Sequence, residues 1–475
     1  MFKSSVNVSK DINCLKIIEF MKKCKENKTD VHSFEIIQNG EVKVKIAPAP
    51  YSFEYKQQLY SLSKSFSSTA IGFLVDDGVI DVNDRVVDIF GDKCPENIGE
   101  NLSRMRLCHL LSMNTGHSRC LLNDIRRDED PVKSFLEFEP EFEPGTHFFY
   151  NNSATFMLSE IVAKYTGMTM YDFLNQRLFA PLGINGTYWN AFADGNSQGA
   201  VGLHASTDDV AKLGLLYLNK GVYNGKRILS ENWVETATKA WSDNSMNGTP
   251  DWVAGYGFQF WRNARDGFRG DGAFGQLCMV FPSKNMVFAM EAYSEDMQEE
   301  INLVYELADN LCGDSNVTVD ELCAFADKYN APCEYSAGKI TNRLYRCNEN
   351  RFGMTFISLS EEDECIKLNF SDGTRWQTMK FGKGRFIENN IRIRKFKPTL
   401  EELAGHNEKE NVRFAAYCTF KNDGLHLYFN YLDNPHTDEY ICGFDEHSFE
   451  LKKIKDAEFS YHGEVLGECL DGSVK

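Results

Sequence analysis

The stretch "YSLSKSFSSTA", residues 60–70, sets Ser61 three residues ahead of Lys64, just before the apolar run "AIGFLVDDGVI". If a helix begins here, the two side chains share one face, a turn apart. A serine hydroxyl is a poor nucleophile until a base takes its proton. An amine within hydrogen-bond reach can do so if its surroundings keep it neutral, or it can help a neighbouring base. The start of a helix adds backbone N–H groups and a positive end that favour developing negative charge. The same spacing recurs at Ser336 and Lys339, but no long apolar helix follows, and that copy reads as a solvated turn.

Two further segments could complete a site. In "EPGTHFFYNNSATFMLSEIV", Tyr150 and Asn152 stand just before an amphipathic run. A phenol beside an ammonium group has its pKa lowered and can act as a base that later returns the proton to a leaving group. An asparagine amide both donates and accepts, so Asn152 could orient a substrate carbonyl and the lysine together. Tyr-x-Asn also occurs at Tyr188, Tyr217 and Tyr428, so position and context must select among the copies. "FRGDGAFGQ", residues 268–276, places Gly270, Gly272 and Gly275 around Asp271 and Ala273. Glycines there let a substrate approach the backbone and leave N–H groups free for an oxyanion.

The elements that must position these residues can be read from periodicity. Ile12, Leu15, Ile18 and Phe20 mark an amphipathic helix over 9–26. "HSFEIIQNGEVKVKIA" reads as a hairpin turning at Asn39-Gly40, and the run to Val79 as a helix crossing the interior. From about 80 to 180 the pattern is helical, with "DIRRDEDPVKSFLEFEPEFEPG" expected as a charged loop. A helix over 207–219 starts at the N-cap signal of Ser206 and Thr207. "GYGFQFWRN" and "GQLCMVFPSKNMVFAMEAYS" read as strands, and a helix over 297–311 follows. This order predicts an α+β fold: an antiparallel sheet flanked by terminal helices, an inserted helical subdomain, and a cleft between them.

A connector, 313–350, carries a short helix with capping-box spacing at Thr318 and Glu321. From 351 to 475, short alternating runs ("MTFISLS", "CIKLNFS", "IRIRKF", "LHLYFNYL") separated by Asp-Gly and Gly turns predict a C-terminal antiparallel meander or barrel.

The three segments and their surroundings, including "HLLSMNTGH", "GLHASTDDVAKLGLLYLNKG" and "GYGFQFW", resemble class C β-lactamase-like serine hydrolases, a family that also holds penicillin-binding proteins and esterases. The resemblance spans about residues 30–312 of the 1–312 domain. It implies Ser61 as nucleophile, Lys64 as its activator, Tyr150 as base and later acid, and Asn152 as holder of the substrate amide. The oxyanion hole would be the N–H groups of Ser61 and Ala273, after the triplet Gly270-Asp271-Gly272. That triplet departs from the family pattern, which opens with lysine or histidine. Arg269 is expected on the opposite strand face, leaving Asp271 without a compensating cation. A neutral or cationic ester or amide is therefore expected over a carboxylate-bearing β-lactam. The alternative is a penicillin-binding or sensing protein of the same fold that acylates without turnover.

Composition narrows the partners. The 475 residues carry a net charge of −18, which disfavours nucleic acid and anionic membrane surfaces and leaves a small-molecule or peptide-like substrate. No stretch of 18 consecutive apolar residues marks a membrane span, and the first residues have no apolar core of secretory length. Fourteen scattered cysteines without a C-x-x-C pair read as reduced thiols, and the chain as cytoplasmic. No metal-ligand spacing or phosphate-binding loop appears, so neither metal nor cofactor is expected.

Overall fold

The asparagine-glycine pair at 39–40 does what its chemistry allows. Both residues sit at positive φ (+55° and +79°), the tight turn that joins Asp30–Gln38 (β2) to Glu41–Ala47 (β3). A computed structural model describes residues 2–126, 128–192, 194–350, 353–392, 411–455 and 464–473. Ser5–Val8 (β1) adds one edge, and the far side is built from Trp261–Arg262 (β4), Phe268–Gly272 (β5), Gln276–Phe281 (β6) and Met286–Tyr293 (β7). The antiparallel order is β1-β3-β2-β7-β6-β5-β4.

Strand alternation distributes the side chains to two cores. Leu277, Met279 and Phe281 of β6, with Met286, Phe288 and Met290 of β7, pack against the helices Cys14–Glu26 (α1) and Met297–Asn310 (α5). Cys278, Val280, Val287 and Ala289 point the other way, into the core of the helical subdomain. On that side lie Ser63–Asp76 (α2), Asn152–Thr166 (α3) and Thr207–Leu218 (α4). The fold is the α+β arrangement expected, with the chain's first and last helices of this unit on one face and the inserted helices on the other.

Several local expectations shift. The charged stretch after residue 124 is not all loop: Pro131–Glu137 is a helix, N-capped by Asp130, whose side chain accepts from Lys133 N–H. "GYGFQFWRN" yields only the two residues of β4, because Gly255 and Gln259 sit at positive φ and interrupt the alternation. The capping boxes at Ser206/Asp209 and Thr318/Glu321 are both formed.

A second sheet follows the helix Val319–Tyr329. Its ten strands are Arg343–Cys347 (β8), Phe356–Glu361 (β9), Cys365–Ser371 (β10), Trp376–Lys383 (β11), Ile387–Ile391 (β12), Val412–Lys421 (β13), Gly424–Tyr431 (β14), Thr437–Phe444 (β15), Ser448–Lys455 (β16) and Glu464–Ser473 (β17). They run β11-β10-β9-β8-β17-β16-β15-β14-β13-β12, and a short parallel contact of Gly382 and Lys383 with Tyr417 and Cys418 closes the order into a barrel-like body. Tyr345, Ile357, Phe381, Leu427 and Phe429 fill its interior. Of the run "IRIRKF", residues from 393 on lie outside the described residues.

Candidate active site

The hydroxyl cluster ahead of the apolar run is buried, not solvated. From Ser63 to Leu74, α2 is buried on every side, and four of its hydroxyls tie it to neighbouring segments. Ser63 Oγ accepts from Leu203 N–H at 3.1 Å, and Ser65 Oγ donates to the Gln259 carbonyl at 3.0 Å. Ser67 Oγ donates to the Gly199 carbonyl at 2.8 Å, and Thr69 Oγ1 bonds the Tyr217 hydroxyl at 2.9 Å. A central helix packed on all sides needs these polar ties, since an unpaired buried hydroxyl costs about 1–3 kcal/mol.

Ser61 lies in the 3₁₀ turn Tyr60–Leu62, which runs directly into α2. Lys64 Nζ donates to Ser61 Oγ at 3.0 Å and to the Ala200 carbonyl at 2.8 Å. The lysine side chain is only 1% exposed. Burial brings its pKa down to about 7, although Cys120 and Asp271 nearby favour the charged form.

Tyr150, just before α3, places its ring 4.8 Å from Lys64 Nζ, and Trp261 stacks on the same ring at 5.5 Å between centroids. The expectation of a lowered phenol pKa is reversed: burial first, then the charge of Asp271, drives it far up, against a small opposing effect of the Ser61 hydroxyl. An amine whose pKa falls to about 7 is only about half charged at neutral pH and supplies little of the positive charge that would have ionised the phenol. Asn152 opens α3, with Asn151 as its N-cap. Lys64 does not use Asn152: its hydrogen bonds go to Ser61 and Ala200, and Asn152 Oδ1 is a buried acceptor without a partner among the described residues.

The glycines of "FRGDGAFGQ" make room for the turn and helix rather than for a ligand. A Cβ on Gly270 would stand 2.4 Å from Leu62 Cδ1 and 2.5 Å from Ser65 Oγ. On Gly272 it would stand 2.1 Å from the Leu59 carbonyl oxygen. Only bare backbone lets β5 run this close, and Ala273, just beyond it, packs in a cluster with Tyr60, the residue before Ser61.

The Beta-lactamase family model matches residues 31–304, more than half of the chain. The chain belongs to this family. The 6-aminohexanoate-dimer hydrolase of Paenarthrobacter ureafaciens is 27% identical over 292 residues, 54% of this chain and 71% of that protein. The D-aminopeptidase of Brucella anthropi is 25% identical over 171 residues, 31% of each chain. Among solved structures, a family VIII carboxylesterase superposes with a TM-score of 0.51 at 18% identity, covering 64% of this chain and 99% of its own, a likeness of fold.

As a Beta-lactamase family enzyme, the chain is a hydrolase, and β5, which runs against the Ser61 turn, carries a charge pair. Arg269 and Asp271 are two apart on an unbulged β5, so they share a face. Arg269 Nε donates to Asp271 Oδ2 at 2.9 Å, with both side chains buried. The guanidinium also lies 4.6 Å from the ring centre of Trp252 and 5.8 Å from that of Trp261. The expectation that Asp271 lacks a compensating cation is therefore corrected. Burial raises the Asp271 pKa, and Arg269 is what holds it back.

His117 is satisfied locally by Thr115 Oγ1 at 3.0 Å and the Phe138 carbonyl at 3.1 Å. Among the described residues, no group of three or more His, Cys, Asp and Glu side chains could hold a metal ion. No described helix is long and apolar enough to cross a membrane, and thirteen of the fourteen cysteines are described and carry free thiols. Sequence reasoning passed over Trp261, which stacks on Tyr150, and Tyr60, the residue before Ser61.

Proposed function

We propose that the chain hydrolyses an ester or amide through an acyl-enzyme on Ser61, with Lys64 as the base. The observation that carries this reading is a buried amine 3.0 Å from a hydroxyl and shifted to a pKa of about 7, so that at neutral pH about half of it is free to accept a proton. Lys64 Nζ takes the Ser61 proton as Oγ bonds to the substrate carbonyl carbon. The carbonyl oxygen becomes an oxyanion held by the N–H groups of Ser61 and Ala273. Tyr150, kept protonated, passes its phenolic proton to the leaving alkoxide or amine and is reprotonated from Lys64. Water, activated by the same amine, then attacks the acyl carbon and frees Ser61. Asn152, with an unpartnered Oδ1, is assigned the substrate amide.

Neutral or cationic substrates fit best. Arg269, the cation beside Gly270 in the strand, is occupied by Asp271 and the indole faces, which supports selection against a substrate carboxylate. The same reading treats 1–312 as the hydrolase domain, 313–350 as connector and 351–475 as a C-terminal β domain, and places the protein in the cytoplasm.

The test compares steady-state turnover of p-nitrophenyl esters, amino-acid amides and nitrocefin by the wild type and Ser61→Ala. Ester or amide turnover abolished in Ser61→Ala supports the proposal. Stoichiometric acylation with no turnover favours the sensing alternative, and efficient nitrocefin turnover contradicts the substrate preference.

A further inference from the structure

The residues flanking the two proposed oxyanion donors are unusual in their backbone. Tyr60, just before Ser61, and Phe274, just after Ala273, are non-glycine residues at φ +46° and +67°. Such conformations are strained for residues with a Cβ and persist only where the surroundings over-determine them. Here the surroundings are a cluster of rings. Tyr60 and Phe274 meet edge to face at 5.2 Å between centroids, and Tyr293 stacks on Phe274 at 5.7 Å.

The fourth ring comes from the C-terminal domain. His436, in the turn between β14 and β15, lies 4.7 Å from the Phe274 ring and 5.7 Å from Tyr293. A hydrogen bond of 2.7 Å joins its Nε2 to the Tyr60 hydroxyl. The turn is held in place on both sides. Asn434 Oδ1 accepts from the His436 N–H at 3.0 Å, the His436 carbonyl accepts from Tyr431 N–H at 3.2 Å, and the Asp433 carbonyl accepts from Gln58 N–H at 3.0 Å, two residues before Tyr60. Leu432 packs in a small cluster with Tyr51 and Ala415. Burial, aided by Lys453 and His32, brings the His436 pKa down to about 3, so the imidazole stays neutral throughout the physiological range.

We infer that His436 is a positioning residue through which the C-terminal domain clamps Tyr60 and Phe274, and so keeps the Ser61 and Ala273 N–H groups aimed at one point. This rests on the Ser61 acyl-enzyme reading above. It gives the second domain a specific task in the reaction, distinct from covering the cleft. Hole donors act on the oxyanion more than on the ground-state carbonyl, so their misplacement lowers kcat rather than weakening substrate binding.

The experiment uses the full chain with His436→Leu, His436→Gln and Tyr60→Phe, alone and as the Tyr60→Phe/His436→Leu double variant. The readouts are kcat and KM on an activated p-nitrophenyl ester, inhibition by an arylboronic acid whose tetrahedral adduct places an anionic oxygen in the hole, and thermal midpoint. His436→Leu is expected to lower kcat about 10–100-fold, with KM changed less than about threefold and boronate affinity falling in step with kcat. Glutamine, whose amide can reach the Tyr60 hydroxyl, should restore most of the rate, and the double variant should lose no more than either single one. If His436→Leu only lowers the thermal midpoint, or lowers kcat with boronate affinity unchanged, the inference is overturned. Should His436→Leu fail to fold, His436→Gln and Tyr60→Phe decide: a full wild-type rate in Tyr60→Phe overturns it. A wild type that forms no Ser61 adduct removes the underlying reading, whereas a wild type and a His436→Leu that acylate equally fast remove only the role of His436.

Discussion

Replacing Lys64 by methionine should destroy activity and stabilise the protein, and both effects follow from one buried amine. An unfolded lysine holds its proton up to about pH 10.5, and the folded site releases it near 7. At pH 7 this difference costs the folded state about 4 kcal/mol, at 1.36 kcal/mol for each tenfold change in protonation. The sign is fixed by proton counting. Between pH 7 and 10.5 the unfolded chain binds the proton and the native one does not, so wild-type stability rises with pH across that window. Methionine has nothing to titrate, and it leaves Ser61 Oγ and the Ala200 carbonyl without their donor, a loss of about 1–3 kcal/mol. Lys64→Met should therefore be about 1–3 kcal/mol more stable than wild type at pH 7, and by pH 9.5 that advantage should have fallen by about 3 kcal/mol. Five of the six tryptophans precede residue 300, so fluorescence in a urea titration reports mainly on that part of the chain, with Trp376 as the one emitter in the second sheet. Ester hydrolysis measured on the same samples should drop at least about a thousandfold. A destabilised Lys64→Met at pH 7, or an advantage unchanged at pH 9.5, would refute the depressed amine.

Three further outcomes follow from the site. For a neutral ester, kcat/KM should fall about tenfold per pH unit below 7 and level off above it, because only neutral Lys64 accepts the serine proton; a flat profile between pH 5.5 and 8.5 contradicts this. Gly272→Ala should lower kcat on the order of 10–100-fold and reduce the thermal midpoint, since its Cβ would sit 2.1 Å from the Leu59 carbonyl oxygen and push β5 away from the Ser61 turn. Arg269→Met should cost roughly 3–5 kcal/mol in urea denaturation by stranding Asp271, and Arg269→Met/Asp271→Leu should recover most of it; equal losses in the two variants would deny the pairing.

Elements with a local chemical cause were legible in the chain. The Asn39-Gly40 turn, the Ser206 and Thr318 caps and the alternation in β6 and β7 all write their geometry into neighbouring residues. The helix Pro131–Glu137 also had its signal, Asp130 ahead of Pro131, but the surrounding charge obscured it. The three candidate segments stood out as residue types, and the structure brings Ser61, Lys64 and Tyr150 together with β5 against the Ser61 turn. Their electrostatics were not, because a pKa depends on burial. Ser-x-x-Lys looks the same on a wet helix end as in a dry core, and dryness is what moves Lys64 down and Tyr150 up. Arg269 was misplaced by assigning it relative to Gly270, when its partner two residues on, Asp271, shares its face. His436 carries no sequence signal at all: it sits 376 residues from Tyr60, and only the docking of the second domain brings them together.

The most direct measurement is the intact mass of the wild type and Ser61→Ala after brief exposure to an activated ester, quenched in acid and mapped by peptide. This account expects a single acyl group on the peptide containing Ser61 in the wild type, and none in Ser61→Ala. Acylation on another residue, or an ester-hydrolysis rate in Ser61→Ala close to that of the wild type, would contradict it.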